Sequence, residues 1–323
     1  MRGPIAVTGA AGFVGSRLVR FLRGDGLPVR AVVRSTRDAG TLRALGCEVV
    51  LGDVRDRASL AQAFAGCSAV VHLVAIIRER GEQTLDAVNR LGAANAVAAA
   101  HSGGLTRFVH MSTLGAAPDA PRYLRSRWAG EQEVLRGGVP WVIFRPSFLL
   151  GPGGGAAAQF ADVARFGPWY PFVLLLGGRR LFGRLAALLP IIPVFGSGQY
   201  RSMPVALDDV LPAVRQALDR DDVLGQIHEI GGPEVLTYDA LMQTVTRVLG
   251  LRRALVHVPD PVARAILTVF SLLPNPPITR DEAASLLLDN VCRGEPALRT
   301  FGLTLRPVEQ ALREALSGSE EKT

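Results

Sequence analysis

Two periods of hydrophobic residues alternate through the first half of the chain. Short continuous or β-branched apolar runs fall at Ile5–Thr8, 28–33 (PVRAVV), 47–51, 69–74 (AVVHLV), 106–111 and 140–146 (PWVIFRP), and they predict six strands. Helical spacing fills the gaps. It is clearest at Phe13, Val14, Leu18, Val19 and Leu22, and recurs over about 57–65, over an alanine-rich stretch from about 83 to 100 interrupted by Asn89 and Asn95, and over 120–137. Runs such as AVVHLV are apolar at every position, as strands covered on both faces are. Strands alternating with helices at this pace predict βαβ units, hence an α/β fold with a doubly wound parallel sheet.

The second half changes character. Residues 167–194 are apolar, poor in acid and broken by glycines, prolines and arginines. The stretch Val205 to Val210 opens a helix to about Asp219, and Gln226 to Ile230 predicts a strand that closes on Gly231-Gly232-Pro233. From Thr237 onward the spacing is helical, with a capping box at Thr279 and Glu282 and breaks at Pro259, Pro274, Pro276 and Pro277. The expected organisation is a nucleotide-binding domain over 1–150, to which 203–231 returns. A smaller, mainly helical substrate or partner lobe is expected over 151–202 and 232–323.

The candidate chemistry sits at strand ends. Directly after the first strand comes TGAAGFVG, in which Gly9, Gly12 and Gly15 follow a strand and open a helix. That spacing lets the backbone turn at Gly9, brings a pyrophosphate to the helix N-terminus at Gly12 and packs helix on strand at Gly15. The second strand ends in Arg34-Ser35-Thr36-Arg37, with two arginines and no carboxylate within that tetrapeptide. An acidic residue there selects NAD(H), whereas a nearby arginine accommodates the extra phosphate of NADP(H), so NADP(H) is expected, with Arg34 and Arg37 on the phosphate. Asp53 ends the third strand, on the adenine side of such a sheet. Ser112 and Thr113 end the fifth, where ligands collect. Tyr123 and Arg127 are four residues apart and share one helix face. His72, inside an apolar strand, is expected as a packed histidine.

Composition narrows the partners. The 323 residues carry a net charge of +7, and with 48% hydrophobic and 20% charged residues the chain is expected to fold. Lys322, in the polar tail, is the only lysine, so the positive charge is arginine. Cys47, Cys67 and Cys292 form no C-x-x-C pair and the five histidines have no metal-ligand spacing, so no metal is expected and the thiols should be reduced. The arginines are dispersed and no nucleic-acid motif is present, which argues against nucleic acid despite the charge. No run of 18 uncharged apolar residues occurs, and a strand begins after four residues, so neither a spanning helix nor a signal peptide is expected. The mixture of apolar and basic residues in 167–194 fits either an anionic membrane surface, or a membrane complex, or a flap whose arginines face water. The expected location is cytoplasmic, peripheral to the inner membrane if that surface is used.

Taken in order, TGAAGFVG, GDVRD, HLVA, VNRLGAAN, STLGA, YLRSR, FRPSFLLGPG, PVALDDV and IGGPEVLTY resemble the short-chain dehydrogenase/reductase superfamily in its extended or atypical branch, related to NAD-dependent epimerases and dehydratases. Within that branch, RPSFLLGPG and the stretch from GGPEVLTYDAL through LLPNPPITRDE to ALRTFGLTL look most like bacterial relatives of the nucleotide-binding accessory subunit of respiratory complex I. The resemblance implies a Rossmann-type domain. It also implies a dinucleotide held by Gly9, Gly12, Phe13, Val14, Gly15, Arg34, Arg37, Asp53, Val54, Val74, Ala75, Asn89, Pro146 and Ser147. The family's reaction moves hydride between nicotinamide and a substrate carbon. A serine polarises the substrate oxygen, a tyrosine transfers the proton, and a lysine four residues on lowers the tyrosine pKa. Those places fall on Ser112, Tyr123 and Arg127.

Arginine at the lysine position is a departure from the family. Its planar fork keeps the positive charge but does not fill the place of a compact ammonium. Two explanations compete, drift to arginine at a dispensable lysine and a working replacement, and the first is the expected one because the resemblance is to a subunit understood to hold its nucleotide as a structural or sensing ligand. The first implies a protein that holds NADP(H) with weak or no turnover, as the complex I accessory subunit is understood to do. The second implies an active oxidoreductase or epimerase on a small lipophilic or sugar-like substrate.

Overall fold

The computed structural model describes residues 3–273, 276, 278–293 and 296–317. Pro274, Pro277 and Lys322 lie outside them. The first six strands are β1 Ile5–Thr8, β2 Val29–Val33, β3 Glu48–Leu51, β4 Ala69–His72, β5 Arg107–Met111 and β6 Trp141–Pro146. Between them run α1 Phe13–Gly24, α2 Ala39–Ala44, α3 Arg57–Phe64, α4 Leu91–Ser102 and α5 Arg122–Arg136. The chain continues through β7 Leu149–Gly151, α6 Gly155–Phe166, α7 Tyr170–Leu176, α8 Arg179–Leu188, β8 Ile191–Phe195, β9 Arg201–Ser202 and β10 Val205–Ala206. Then come α9 Leu207–Ala217, β11 Gln226–Ile230, β12 Leu236–Thr237, α10 Tyr238–Val248, β13 Ala254–Val258, α11 Asp260–Phe270, α12 Arg280–Leu286, α13 Pro296–Phe301 and α14 Val308–Ser317.

Two units divide these elements. The first comprises Met1–Pro146, Leu207–Ile230 and Arg293–Thr304; the second comprises Ser147–Ala206, Gly231–Cys292 and Leu305–Thr323. The first is built on a seven-stranded parallel sheet among the described residues, in the order β11-β6-β5-β4-β1-β2-β3. Strand order reverses between β1 and β4, the switch point beside which doubly wound folds bind ligands. Strand β4 ends at His72, two residues before the apolar run does, because its neighbour β1 ends at the paired Thr8. Fully buried Leu60, Phe64, Phe108 and Ile143 fill the core, each contributing about 1.5–3 kcal/mol of apolar burial.

Segment 293–304, expected in the second lobe, belongs to the first unit. Phe301 brings it there, with its ring 5.4 Å from that of Phe144 on β6 and 4.8 Å from that of His228 on β11. The second unit packs Leu150, Phe160, Ile192, Met242, Val245 and Leu312 together. It is mainly helical, but β8 and β13 pair in parallel, a ladder that the hydrophobic pattern does not disclose. Strand β8 carries Pro193 in a two-stranded sheet, where a missing N–H can face outward at no cost. Strand β13 is mostly exposed. The capping box at Thr279 and Glu282 forms at the start of α12.

Candidate functional site

The turn after β1 is shaped by its glycines. Gly9 adopts φ +72°, and its carbonyl accepts the Gly12 N–H at 2.9 Å. A Cβ on Gly15 would stand 2.1 Å from that same carbonyl, and one on Gly9 would stand 3.2 Å from Val74 Cγ2. Helix α1 therefore rides against the turn more closely than any side chain allows. Gly12 caps α1 in extended conformation without a capping side chain, and it is exposed together with Ala11. The first N–H groups of α1 are left open beside half-buried Phe13 and Val14, a cradle matched to a pyrophosphate.

Around the cradle, Arg34 and Arg37 are exposed just beyond β2, and Arg34 Nη1 donates to Gln83 Oε1 at 2.9 Å. Asp53 is engaged by Arg55, whose Nη2 lies 2.8 Å from Oδ2 and whose N–H donates to Oδ1 at 2.9 Å. The Arg55 guanidinium holds this carboxyl below the usual carboxylate range, and Arg34 adds to the effect. Val54 is buried; its carbonyl accepts Asn95 Nδ2 at 2.9 Å. Val74 is half-buried and Ala75 exposed.

Asn89 lies in a π-helical turn, Asp86–Arg90, at the start of the long helical stretch. Its amide exchanges two bonds of 2.9 Å with the backbone of Ile76 and donates a third to Ser126 Oγ. The side chain is thus spent on bracing the segment after β4 against α5. Pro146 is buried, and its carbonyl accepts the Leu114 N–H at 2.9 Å. Ser147 begins the second unit and donates its hydroxyl to Asn290 Oδ1 at 2.5 Å.

At the end of β5, Ser112 is buried and its Oγ has no hydrogen-bond partner. Arg127, 2% exposed, donates Nη2 to the carbonyl of Met111, the residue before Ser112, while its Nε and Nη1 have no partner. Tyr123 is half-buried one turn earlier on α5 and couples electrostatically to Arg127. The structure thus sets Arg127 near Tyr123 and against the strand end that Ser112 follows. Burial disfavours the Arg127 charge; Tyr123 and Glu131 favour it.

Two buried polar pairs lie near this group: His72, packed as expected, with His110, and Glu131 with Arg145, and neither pairing is evident in the sequence. His72 and His110 face each other across β4 and β5 with rings stacked at 5.3 Å, and His72 Nδ1 hydrogen-bonds Thr8 Oγ1 at 2.9 Å. Burial, helped by the nearby Arg127 charge, pushes His72 down to about 3 and His110 well below its ordinary value, so both rings are neutral. One turn beyond Arg127, fully buried Glu131 accepts Arg145 Nε at 2.9 Å and Nη2 at 2.5 Å, and Arg145 also stands 3.9 Å from Glu229. Tyr123, Arg127 and Glu131 at successive fours on one helix were the available signal.

Comparison with known proteins adds to this geometry. Residues 9–163 match a protein family described as NAD(P)H-binding. The ceramide reductase of Caulobacter vibrioides is 32% identical over 282 residues, which span 85% of this chain and 81% of that protein. The chain belongs to the extended short-chain dehydrogenase/reductase superfamily. As a superfamily member it carries a domain for a nicotinamide dinucleotide, and its relatives include both reductases and a respiratory subunit. The mitochondrial NADH dehydrogenase 1 alpha subcomplex subunit 9 of Arabidopsis thaliana is 28% identical over 317 residues, 93% of this chain and 73% of that one. The UDP-glucose 4-epimerase of Thermotoga maritima shares the superfamily fold, with a TM-score of 0.70 at 18% identity over 98% of this chain and 99% of that one.

Proposed function

We propose that the chain is an NADP(H)-dependent oxidoreductase acting on the carbonyl or alcohol carbon of a small lipophilic substrate. The observation that carries this reading is the cluster at the end of β5: a buried serine hydroxyl without a partner beside a buried arginine coupled to Tyr123. A buried cation with two unsatisfied nitrogens is costly, and such sites persist where function uses them. Gly9, Gly12 and Gly15, with the first turn at Phe13 and Val14, would hold the pyrophosphate; Arg34 and Arg37 would meet the 2′-phosphate. Bound there, the nicotinamide supplies or accepts hydride. Ser112 would donate to the substrate oxygen, and Tyr123 would deliver or remove the proton there, so that carbonyl plus hydride plus proton gives the alcohol. Arg127 would supply a buried positive charge near Tyr123 and hold the end of β5 through the Met111 carbonyl.

A second reading has its own observation. Arg127 spends Nη2 on the Met111 carbonyl, and the Arabidopsis relative is a respiratory subunit, so NADP(H) held without turnover is the competing role. One protocol separates the two. The purified protein is denatured, released dinucleotide is identified by mass spectrometry, and NADPH oxidation is followed with a panel of lipophilic ketones. Turnover that falls at least about 100-fold in Tyr123→Phe while dinucleotide binding is kept supports the oxidoreductase. About one equivalent of NADP(H), without exchange over hours and without turnover, supports the second reading.

A further inference from the structure

We infer that the face formed by α7 and α8 in the second unit docks on an anionic lipid bilayer surface. This does not depend on whether the site turns over. No Asp or Glu occurs between Asp162 and Asp208, whereas Arg165, Arg179, Arg180, Arg184 and Arg201 do. Of the three arginines on α8, Arg179 is already neutralised: Asp162 holds its guanidinium at 3.1 and 2.6 Å, and it lies 4.8 Å over the ring of Phe166. Arg180 and Arg184 are exposed, with no ion-pair partner among the described residues.

At 100° per residue, Arg180, Arg184, Leu188 and Leu181 fall within one arc of about 100° on α8. The opposite side is the packed one, with Ala186 buried and the Phe182 ring stacked on Trp169 and Phe172. The outward arc is apolar as well as basic: Leu181 is 59% and Leu188 82% exposed, and Leu176, at the end of α7, is 73% exposed.

The charge decides the occupant. A second copy docked through the same patch would gather four arginines at one interface with no acid on α7 or α8 to offset them, whereas anionic headgroups match them while the leucines enter the acyl boundary. No helix among the described residues is long and apolar enough to cross a membrane, so the contact is interfacial.

The full chain is floated with vesicles of phosphatidylcholine alone or with about one-third phosphatidylglycerol. Binding is expected only to the anionic vesicles and should weaken as salt is raised. Arg180→Glu with Arg184→Glu should lower partitioning by about tenfold or more, and Leu181→Ser with Leu188→Ser should abolish it. Far-UV circular dichroism and NADPH binding, both unchanged in these variants, report that the protein is folded. Failure to float with anionic vesicles, or equal floating by all variants, overturns the inference. So does a dimer, measured by light scattering, that Leu181→Ser and Leu188→Ser dissolve, since that would assign the face to a second copy.

Discussion

Arginine does opposite things in two regions of this molecule. Beside the sheet, Arg127 and Arg145 are withdrawn from solvent and set in a row with Tyr123, Glu131 and Glu229, so each charge is defined by its neighbours. On α8, Arg180 and Arg184 stand in water among exposed leucines with no acid in the surrounding sequence. The same residue type, enriched throughout this lysine-poor chain, is an element of fold and site chemistry in one place and a charged surface in the other. Burial and counter-charge separate the two roles, and each can be tested.

The largest effect is expected at Glu131. Its carboxylate is fully buried and holds Arg145 through two hydrogen bonds, so Glu131→Gln leaves a half-buried guanidinium with only the more distant Glu229, at 3.9 Å, as counter-charge. Loss of about 3–5 kcal/mol in urea unfolding is expected, and the pair Glu131→Met with Arg145→Met should recover most of it, because removing both charges removes the desolvation cost as well. A loss below about 1 kcal/mol would mean that the row is solvated, and the contrast with α8 would collapse.

Next comes acid. His72 and His110 are neutral when folded, with His72 pushed to about 3 from its ordinary 6.5, chiefly by burial. Between those values the unfolded chain binds a proton that the folded chain does not, so stability is full above pH 6.5 and falls as pH drops toward 3. For His72 alone, about 2 kcal/mol should be lost between pH 6.5 and 5, with His110 adding in the same direction. Asp53 and Asp86, whose pKa values are lowered by arginine partners, act below this window. Urea unfolding at pH 7 and pH 5 should therefore show a smaller drop for His110→Leu than for the parent chain.

How far these features could be read from the chain follows from their physics. The parallel sheet was legible because strands buried on both faces leave uninterrupted apolar runs, and the glycine turn because close approach at Gly15 admits no other residue. The position of Ser112 after a strand and the one-face spacing of Tyr123 and Arg127 were legible, and the structure sets Arg127 against that strand end. The Glu131 and Arg145 pair was not, since it joins a helix to a strand 14 residues on and either residue alone looks like surface charge. His110 was hidden in the same way: only the register with His72 shows it to be half of a stacked pair. In the second unit, strands of a two-stranded ladder are half exposed and tolerate Pro193, so their pattern resembles loop.

A smaller effect is expected at the exposed arginines that follow β2. Arg34 bonds to Gln83 and lends charge to the surroundings of Asp53. If Arg34 and Arg37 hold a 2′-phosphate, Arg34→Ala should weaken NADPH binding by about tenfold, the worth of one charge-assisted bond, and leave NADH binding unchanged. Titration of both dinucleotides followed by nicotinamide fluorescence gives the ratio. Equal losses for the two would place the arginine on a part of the ligand they share.

The smallest change in stability is expected where the charge is most deeply buried. Arg127→Met removes a cation whose Nε and Nη1 have no partner, and it leaves Glu131 still paired with Arg145. The relief of desolvation offsets the lost bond to the Met111 carbonyl, so urea unfolding should move by no more than about 1 kcal/mol. Arg180→Glu and Arg184→Glu should be about as neutral, for the contrary reason that water already satisfies those side chains. What separates the two sites is the second readout: Arg127→Met should impair turnover or dinucleotide retention, and the α8 variants only vesicle binding. An arginine that can be removed from the interior without loss of stability, but not without loss of function, is held there by its chemistry rather than by the fold.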